Sequence, residues 1–101
     1  MKLDDMTKDE RSLLLFLETC AVDYGGKVDG RRINKEDIDT ARKWNTDGFV
    51  KFGRIKFHDI AFHHTHWCEL SDEAWAIAHE ERRARYERLA PQQTFNKASI
   101  K

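Results

Sequence analysis

The sequence predicts an α+β domain of three main helices with a β-hairpin between the second and the third. Three segments carry apolar residues at three- and four-residue spacing behind a helix-capping residue. The segment between the second and third of these alternates apolar and polar residues, as half-buried strands do. A chain of 101 residues has room for a single core. We therefore expect one domain over residues 1–101, with an ordered core over about residues 7–90.

The first helix is predicted to begin after Thr7 and to end at Gly25-Gly26. Thr7 and Glu10 have the spacing of a capping box, in which each side chain bonds the other's backbone amide. Glycine readily adopts the left-handed conformation that ends many helices. Cys20 lies on the apolar face, where we interpret it as a small buried hydrophobe.

Residues 27–33, KVDGRRI, are predicted to form a brief strand, a single helical turn, or both in succession. Asn34 then caps a second helix, and the polar run 45–48 with its glycine breaks it. Glu36 and Asp37 lie in the first turn and Arg42 and Lys43 near the other end, which matches the helix dipole.

The β-like segment begins at residues 48–57, GFVKFGRIKF. Its alternation changes phase at Gly53, which predicts a bulge or sharp bend between two short strand pieces. HDIAFHHTHWCEL continues in β-like fashion to Leu70, and we place the reversal of the hairpin near residues 58–64.

Ser71 is predicted to cap a third helix that Pro91 ends, leaving a frayed tail over residues 91–101. Its solvent face is expected to carry Glu81–Arg85 and Arg83–Glu87 pairs at four-residue spacing.

The charge of the chain is zero overall but unevenly distributed. Residues 27–56 hold nine basic and five acidic side chains, a balance of +4, whereas the segments on either side are net acidic. A basic middle segment indicates a polyanionic partner for that segment. The chain lacks an apolar run long enough to span a bilayer and a cleavable signal pattern, which predicts a soluble cytoplasmic protein without a membrane partner.

HHTHWC, residues 63–68, raises the question of a metal site. On a strand, His64, His66 and Cys68 would point to one face, and all three are ligand types for zinc. A closed zinc site usually recruits a second well-spaced pair such as Cys-x-x-Cys, and the sequence has none. Imidazoles on a partly exposed strand that contact phosphate or water are the alternative, so we predict no metal.

Enzyme signatures are sparse. The sequence contains neither a Gly-x-Ser-x-Gly motif nor a phosphate-binding glycine loop, and His79-Glu80 lacks the second histidine of a zinc-protease helix. His66 and Cys68, two apart on a strand, lack a third group to orient them as base and nucleophile. We predict a protein that is not an enzyme and needs no cofactor.

The order helix, short element, helix, hairpin, helix resembles a winged helix-turn-helix domain. DTARKWNTDGFVKFGRI resembles the end of a recognition helix running into the first wing strand, and CELSDEAW resembles the passage into the closing helix in MarR-type regulators. The small size resembles phage and prophage proteins. Because KVDGRRI is too short for a full helix, either that helix is reduced to a stub or the chain has a different α+β fold.

The resemblance implies a DNA-binding surface on the second helix and the hairpin. The basic candidates for this surface are Arg31, Arg32, Lys35, Arg42, Lys43, Lys51, Arg54 and Lys56.

Three functions follow as hypotheses. The first is a small DNA-binding protein that acts on duplex DNA as a homodimer, in transcriptional control by a phage or mobile element. The second is a protein-interaction module that binds or inhibits a host protein without binding DNA, which the acidic start of the second helix favours. The third is a metal-dependent role for the histidine cluster.

Overall fold

A computed structural model of the chain describes residues 1–59 and 63–100, with side chains over residues 1–56 and 63–89. It confirms the α+β class: three α-helices accompany a three-stranded antiparallel sheet, an arrangement compatible with a winged-helix-like domain. The helices are α1 (Lys8–Asp23), α2 (Lys35–Asp47) and α3 (Asp72–Ile100), and the strands are β1 (Lys27–Asp29), β2 (Val50–Asp59) and β3 (His64–Leu70). Two 3-10 turns, Leu3–Asp5 and Gly30–Arg32, complete the described elements.

All three predicted helix starts are confirmed. The Thr7 side chain accepts from the Glu10 amide at 3.1 Å, and the Glu10 carboxylate accepts from the Thr7 amide at 2.8 Å. Asn34 forms a second capping box with Asp37, and the Ser71 hydroxyl accepts from the amide at position 74. Each cap satisfies backbone donors that the first turn of a helix leaves without partners.

The segment between α1 and α2 forms both of the elements that the sequence left open. Gly25 and Gly26 have positive φ angles of 61° and 87° and end α1 as predicted. Strand β1 follows at once, and the 3-10 turn Gly30–Arg32 then leads to α2. A strand and a stub of helix therefore occupy residues 27–32.

Strand β3 lies in the centre of the sheet, between β1 and β2, and pairs antiparallel with both. Its side chains alternate as predicted: His66, Cys68 and Leu70 are buried, whereas Trp67 and Glu69 are exposed on the outer face. The helices contact this sheet, and the core contains the largest fully buried apolar side chains of the described residues, Trp44, Leu14, Leu17, Val28 and Val50.

The bulge predicted at Gly53 is wrong. Strand β2 runs without interruption through Gly53, which pairs in register with Trp67 on β3, and the register shifts only after Arg54. Glycine is needed here for a different reason, since a Cβ atom would meet the Trp67 ring at 2.8 Å. The indole lies against the backbone of β2, which explains why this tryptophan is only 40% exposed on the outer face.

The reversal of the hairpin falls within the predicted region, because β2 ends at Asp59 and β3 begins at His64. Residues 60–62, to which the sequence analysis assigned a β-like character, lie outside the described residues. His63 has a positive φ of 58°, which is uncommon for a residue with a side chain and marks the end of the turn.

Helix α3 does not end at Pro91, contrary to the prediction, but continues to Ile100. Proline removes one backbone donor and crowds the preceding turn, yet good helix formers on both sides, including Arg88, Leu89 and Gln92-Gln93, favour continuation. The fraying of residues 91–101 stays a prediction.

The placement of Glu81 on the solvent face of α3 is also wrong. Glu81 is 1% exposed, and its carboxylate accepts from Arg85 and lies 3.5 Å from Arg88. Arg85 also donates to Ser12 on α1, so this group of charges joins the two helices. The four-residue spacing to Arg85 is as predicted, but the packing of α1 against α3 encloses the pair.

A second buried carboxylate, Glu18 on α1, joins the same two helices. It is 4% exposed and is paired with Arg82, and His79 lies 3.4 Å away. Arg82 donates further to the Thr19 hydroxyl at 2.9 Å and to the Leu15 carbonyl at 3.3 Å. Because a buried carboxylate is costly without partners, these bonds fix α3 in register against α1.

Changing Glu18 to Gln should lower the free energy of unfolding by about 2 kcal/mol, because charge-assisted bonds to Arg82 are lost while the side-chain shape is kept. Glu80→Gln is the matched control, because Glu80 is an exposed residue of α3 and the substitution removes the same charge. Urea unfolding followed by circular dichroism measures both. Equal losses in the two variants would show that the Glu18 pair does not stabilise the fold.

Candidate nucleic-acid interface

The eight basic residues singled out from the sequence are all exposed and lie in three places. The 3-10 turn carries Arg31 and Arg32, α2 carries Lys35, Arg42 and Lys43, and β2 carries Lys51, Arg54 and Lys56. They do not form one continuous row along a single element, so each place is described separately.

The junction between α2 and β2 is rigidly built. Gly48 caps α2 in the left-handed conformation, with φ of 77°, and the Phe49 amide donates to the Trp44 carbonyl at 3.0 Å. The Asn45 side chain accepts from the Phe52 amide at 3.0 Å. These bonds hold the last turns of α2 against the start of β2, so the cations on both elements have fixed backbones.

Arg42 and Lys43 lie on the exposed part of α2, and Lys51 follows the junction on β2. Among the described residues none of these three forms an ion pair, which leaves their charges available to an anion outside the chain. Such cations are the usual partners of nucleic-acid phosphates.

The strand register places Lys51 and Arg54 on opposite faces of the hairpin. Lys51 pairs with Glu69 on the outer face, whereas Arg54 pairs with His66, whose side chain points toward the core side of the sheet. A duplex that contacts α2 and one face of the hairpin can therefore reach only one of these two cations without wrapping around the strand.

The first turn of α2 is acidic for a structural reason. The Asp37 carboxylate accepts from the Asn34 amide at 3.2 Å as part of the capping box. Glu36 and Asp39 are exposed on the same helix. The start of α2 therefore repels phosphate, and the cations that could bind it lie in the second half of the helix.

Arg31 is held by a carboxylate of its own chain. Its guanidinium donates to both oxygens of Asp29, at 2.9 and 3.2 Å, and its amide donates to Asp29 at 2.9 Å. These side-chain and backbone hydrogen bonds lower the pKa of Asp29 to about 2. This pair was not predicted, although an aspartate before a glycine in a turn is a signal for a side chain that bonds the backbone two residues on.

Arg32 faces a different environment. Its guanidinium lies over the Phe16 ring of α1, 5.7 Å from the ring centroid. It also lines a cavity of about 400 Å³ between α1, β1, the 3-10 turn and β3, with His64 at the opposite side. Neither the cavity nor this stacking could be predicted from the sequence, because both depend on how α1 crosses the sheet.

The three candidate metal ligands are not brought together. His66 stacks on Phe52, with ring centroids 5.0 Å apart, and its Nδ1 lies 2.8 Å from the Thr65 hydroxyl. The Cys68 thiol donates to the Leu17 carbonyl, and burial raises its pKa to about 12. Within the part of the chain that the structure describes, no group of three or more His, Cys, Asp or Glu side chains could hold a metal ion.

Comparison of the chain with protein families, curated proteins and solved structures finds no match. Among the described helices, none is long and apolar enough to cross a membrane.

The Arg31–Asp29 pair gives a pH-dependent prediction. In the unmodified protein Asp29 should titrate with a pKa of about 2. Changing Arg31 to Ala should raise this pKa toward the usual range for aspartate, about 3.9, since the main hydrogen-bond donor is lost. Carbon-detected NMR of the side-chain carboxyl measures both values.

Lys35→Ala is the control for this titration, because it removes an exposed cation at the start of α2 and leaves the Asp29 pair intact. Titration of Asp29 in the usual range in the unmodified protein would contradict the pairing and would return Arg31 to the set of available cations.

Proposed function

We propose that the protein binds duplex DNA through the exposed second half of α2 and the adjoining hairpin of β2 and β3. The observation that carries the proposal is the rigid α2–β2 junction, which presents Arg42, Lys43 and Lys51 without ion-pair partners among the described residues. The stub of helix before α2 fits the winged helix-turn-helix resemblance with a reduced second helix.

Binding on this surface would be dominated by phosphate contacts. The acidic first turn of α2 disfavours insertion of that end into a groove lined by phosphates. We count four cations that a duplex could contact at once: Arg42, Lys43, Lys56 and one of the pair Lys51 and Arg54. Four phosphate contacts would give sequence-independent affinity in the micromolar range with a steep dependence on salt. We propose further that the protein binds DNA as a homodimer and acts in transcriptional control by a phage or mobile element.

A second candidate, binding of a host protein, is favoured by a groove between the starts of α1 and α2. The groove has a volume of about 810 Å³ and an apolar floor of Leu13 and Phe16. Its lining is acidic, since the described residues around it include the carboxylates of Asp9, Glu10, Glu36 and Asp37 and one cation, Arg32. Such a surface suits a basic protein segment and repels DNA, so the two candidates use opposite ends of α2.

Fluorescence anisotropy with a mixed-sequence duplex tests the DNA proposal. We expect affinity to fall about 100-fold between about 50 and 200 mM salt, as four phosphate contacts imply. The variant Arg42→Ala/Lys43→Ala/Lys51→Ala should bind at least about 10-fold more weakly at the lower salt, because it removes the three cations that the α2–β2 junction presents.

The matched control is Lys2→Ala/Lys8→Ala/Arg83→Ala, which removes the same charge from exposed positions outside the second half of α2 and the hairpin. It should lose no more than about 3-fold in affinity. Equal losses in both triple variants would mean that net charge rather than this surface governs binding. Absence of binding at the lower salt would overturn the proposal in favour of a protein partner at the acidic groove.

A further inference from the structure

The cavity beside Arg32 has the composition of a small-molecule site. It measures about 400 Å³, within the range of ligand pockets, and is lined mainly by apolar surface with a few polar groups that converge on it. It lies between α1 and the β1 edge of the sheet, away from the second half of α2. The lining residues are Phe16, Cys20, Tyr24, Lys27, Asp29, Arg32 and His64.

One side of the cavity is a single stripe of α1. Phe16 and Cys20 are four residues apart and lie above one another on α1, and Tyr24, the C-cap residue of the helix, follows at the same spacing. The Tyr24 ring faces the His64 ring of β3 at a centroid separation of 6.3 Å and a tilt of 59°. Aromatic rings thus lie at both ends of the stripe, an arrangement that suits a flat aromatic ligand.

The charge of the cavity is effectively positive. Among the described residues of its lining Asp29 is the only carboxylate, and both of its oxygens accept from Arg31, which is not one of the lining residues. Lys27 and Arg32 supply two cations, and Arg32 is already placed over an aromatic face at Phe16. A planar guanidinium in this position can bind a carboxylate through two parallel hydrogen bonds.

We infer that this cavity binds a small aromatic carboxylate of one or two fused rings. The ring would lie against Cys20 and Tyr24, and the carboxylate would accept from Arg32, which lies over the Phe16 ring, with Lys27 as a second cation of the lining. Cys20 contributes packing and no covalent chemistry. Burial raises the pKa of its thiol to about 11, so the thiol stays protonated at neutral pH and is a poor nucleophile. The inference is independent of the DNA-binding proposal, since it uses none of the α2 and β2 cations.

The test is a titration of the full chain with 1-naphthoate, followed by amide chemical shifts in two-dimensional NMR. We expect saturable shifts at the lining residues with a Kd of about 1 mM or below. The neutral analogue 1-naphthamide, which has the same ring and nearly the same shape, should bind at least about 10-fold more weakly because it lacks the carboxylate.

Two variants locate the binding. Arg32→Gln should weaken 1-naphthoate at least about 10-fold and leave 1-naphthamide unchanged, since only the charge-assisted bonds are lost. Arg42→Gln, which removes the same charge from an exposed residue outside the cavity, should leave both affinities unchanged. The amide spectrum of each variant without ligand verifies that it is folded.

Equal affinities for the two compounds, or equal effects of the two arginine variants, would overturn the inference, as would shifts that do not saturate or that fall elsewhere on the protein. Duplex DNA binding measured on the same samples is a separate readout, so failure of one proposal leaves the other standing.

Discussion

The fold depends on the close contact between Gly26 and the centre of the sheet. The Gly26 amide donates to the Cys20 carbonyl at 2.9 Å and so closes α1, and its carbonyl accepts from the Cys68 amide at 2.8 Å on the central strand. A side chain at this position would place its Cβ 2.6 Å from the Cys68 carbonyl oxygen, and φ is +87°. Only glycine meets both requirements, because other residues are strained at positive φ and the neighbouring atom is backbone.

The remaining elements are positioned from this contact. Strand β1 begins directly after it and aligns along β3, and the Cys68 thiol bonds the Leu17 carbonyl of α1 from the same place on the strand. Because α1 is fixed to β3 here, its Phe16, Cys20 and Tyr24 stripe faces β1 and forms the cavity. The opposite flank of α1 meets α3 through the Glu18–Arg82 pair and through Arg85, which bonds both Glu81 and Ser12. The α2–β2 junction is held separately, by Asn45 and Gly48.

Features that depend on neighbours in the chain could be predicted from the sequence, and those that depend on distant ones could not. The capping residues Thr7, Asn34 and Ser71 bond amides three residues away, so spacing alone identifies them. The change of phase at Gly53 predicts a bulge, whereas the neighbour that requires glycine there, the Trp67 ring, comes from another strand. Glu81 and Arg85 are four residues apart, the spacing that ion pairs on an exposed helix face also have, so the sequence could not indicate that Glu81 is buried. Exposure of the basic residues could be predicted, but the Asp29 carboxylate that engages Arg31 and the Phe16 ring that engages Arg32 are contacts set by the fold.

The most direct test of this account compares the unfolding free energies of Gly26→Ala and Gly25→Ala in urea. Gly25 also has positive φ, at +61°, but has open space where a Cβ would stand, so its variant isolates the backbone strain. We expect the free energy of unfolding to fall by about 1 kcal/mol in Gly25→Ala and by about 3 kcal/mol or more in Gly26→Ala. Failure of Gly26→Ala to fold would count as a loss of the second kind. Equal losses in the two variants would contradict the claim that the contact between Gly26 and Cys68 holds the helix to the sheet.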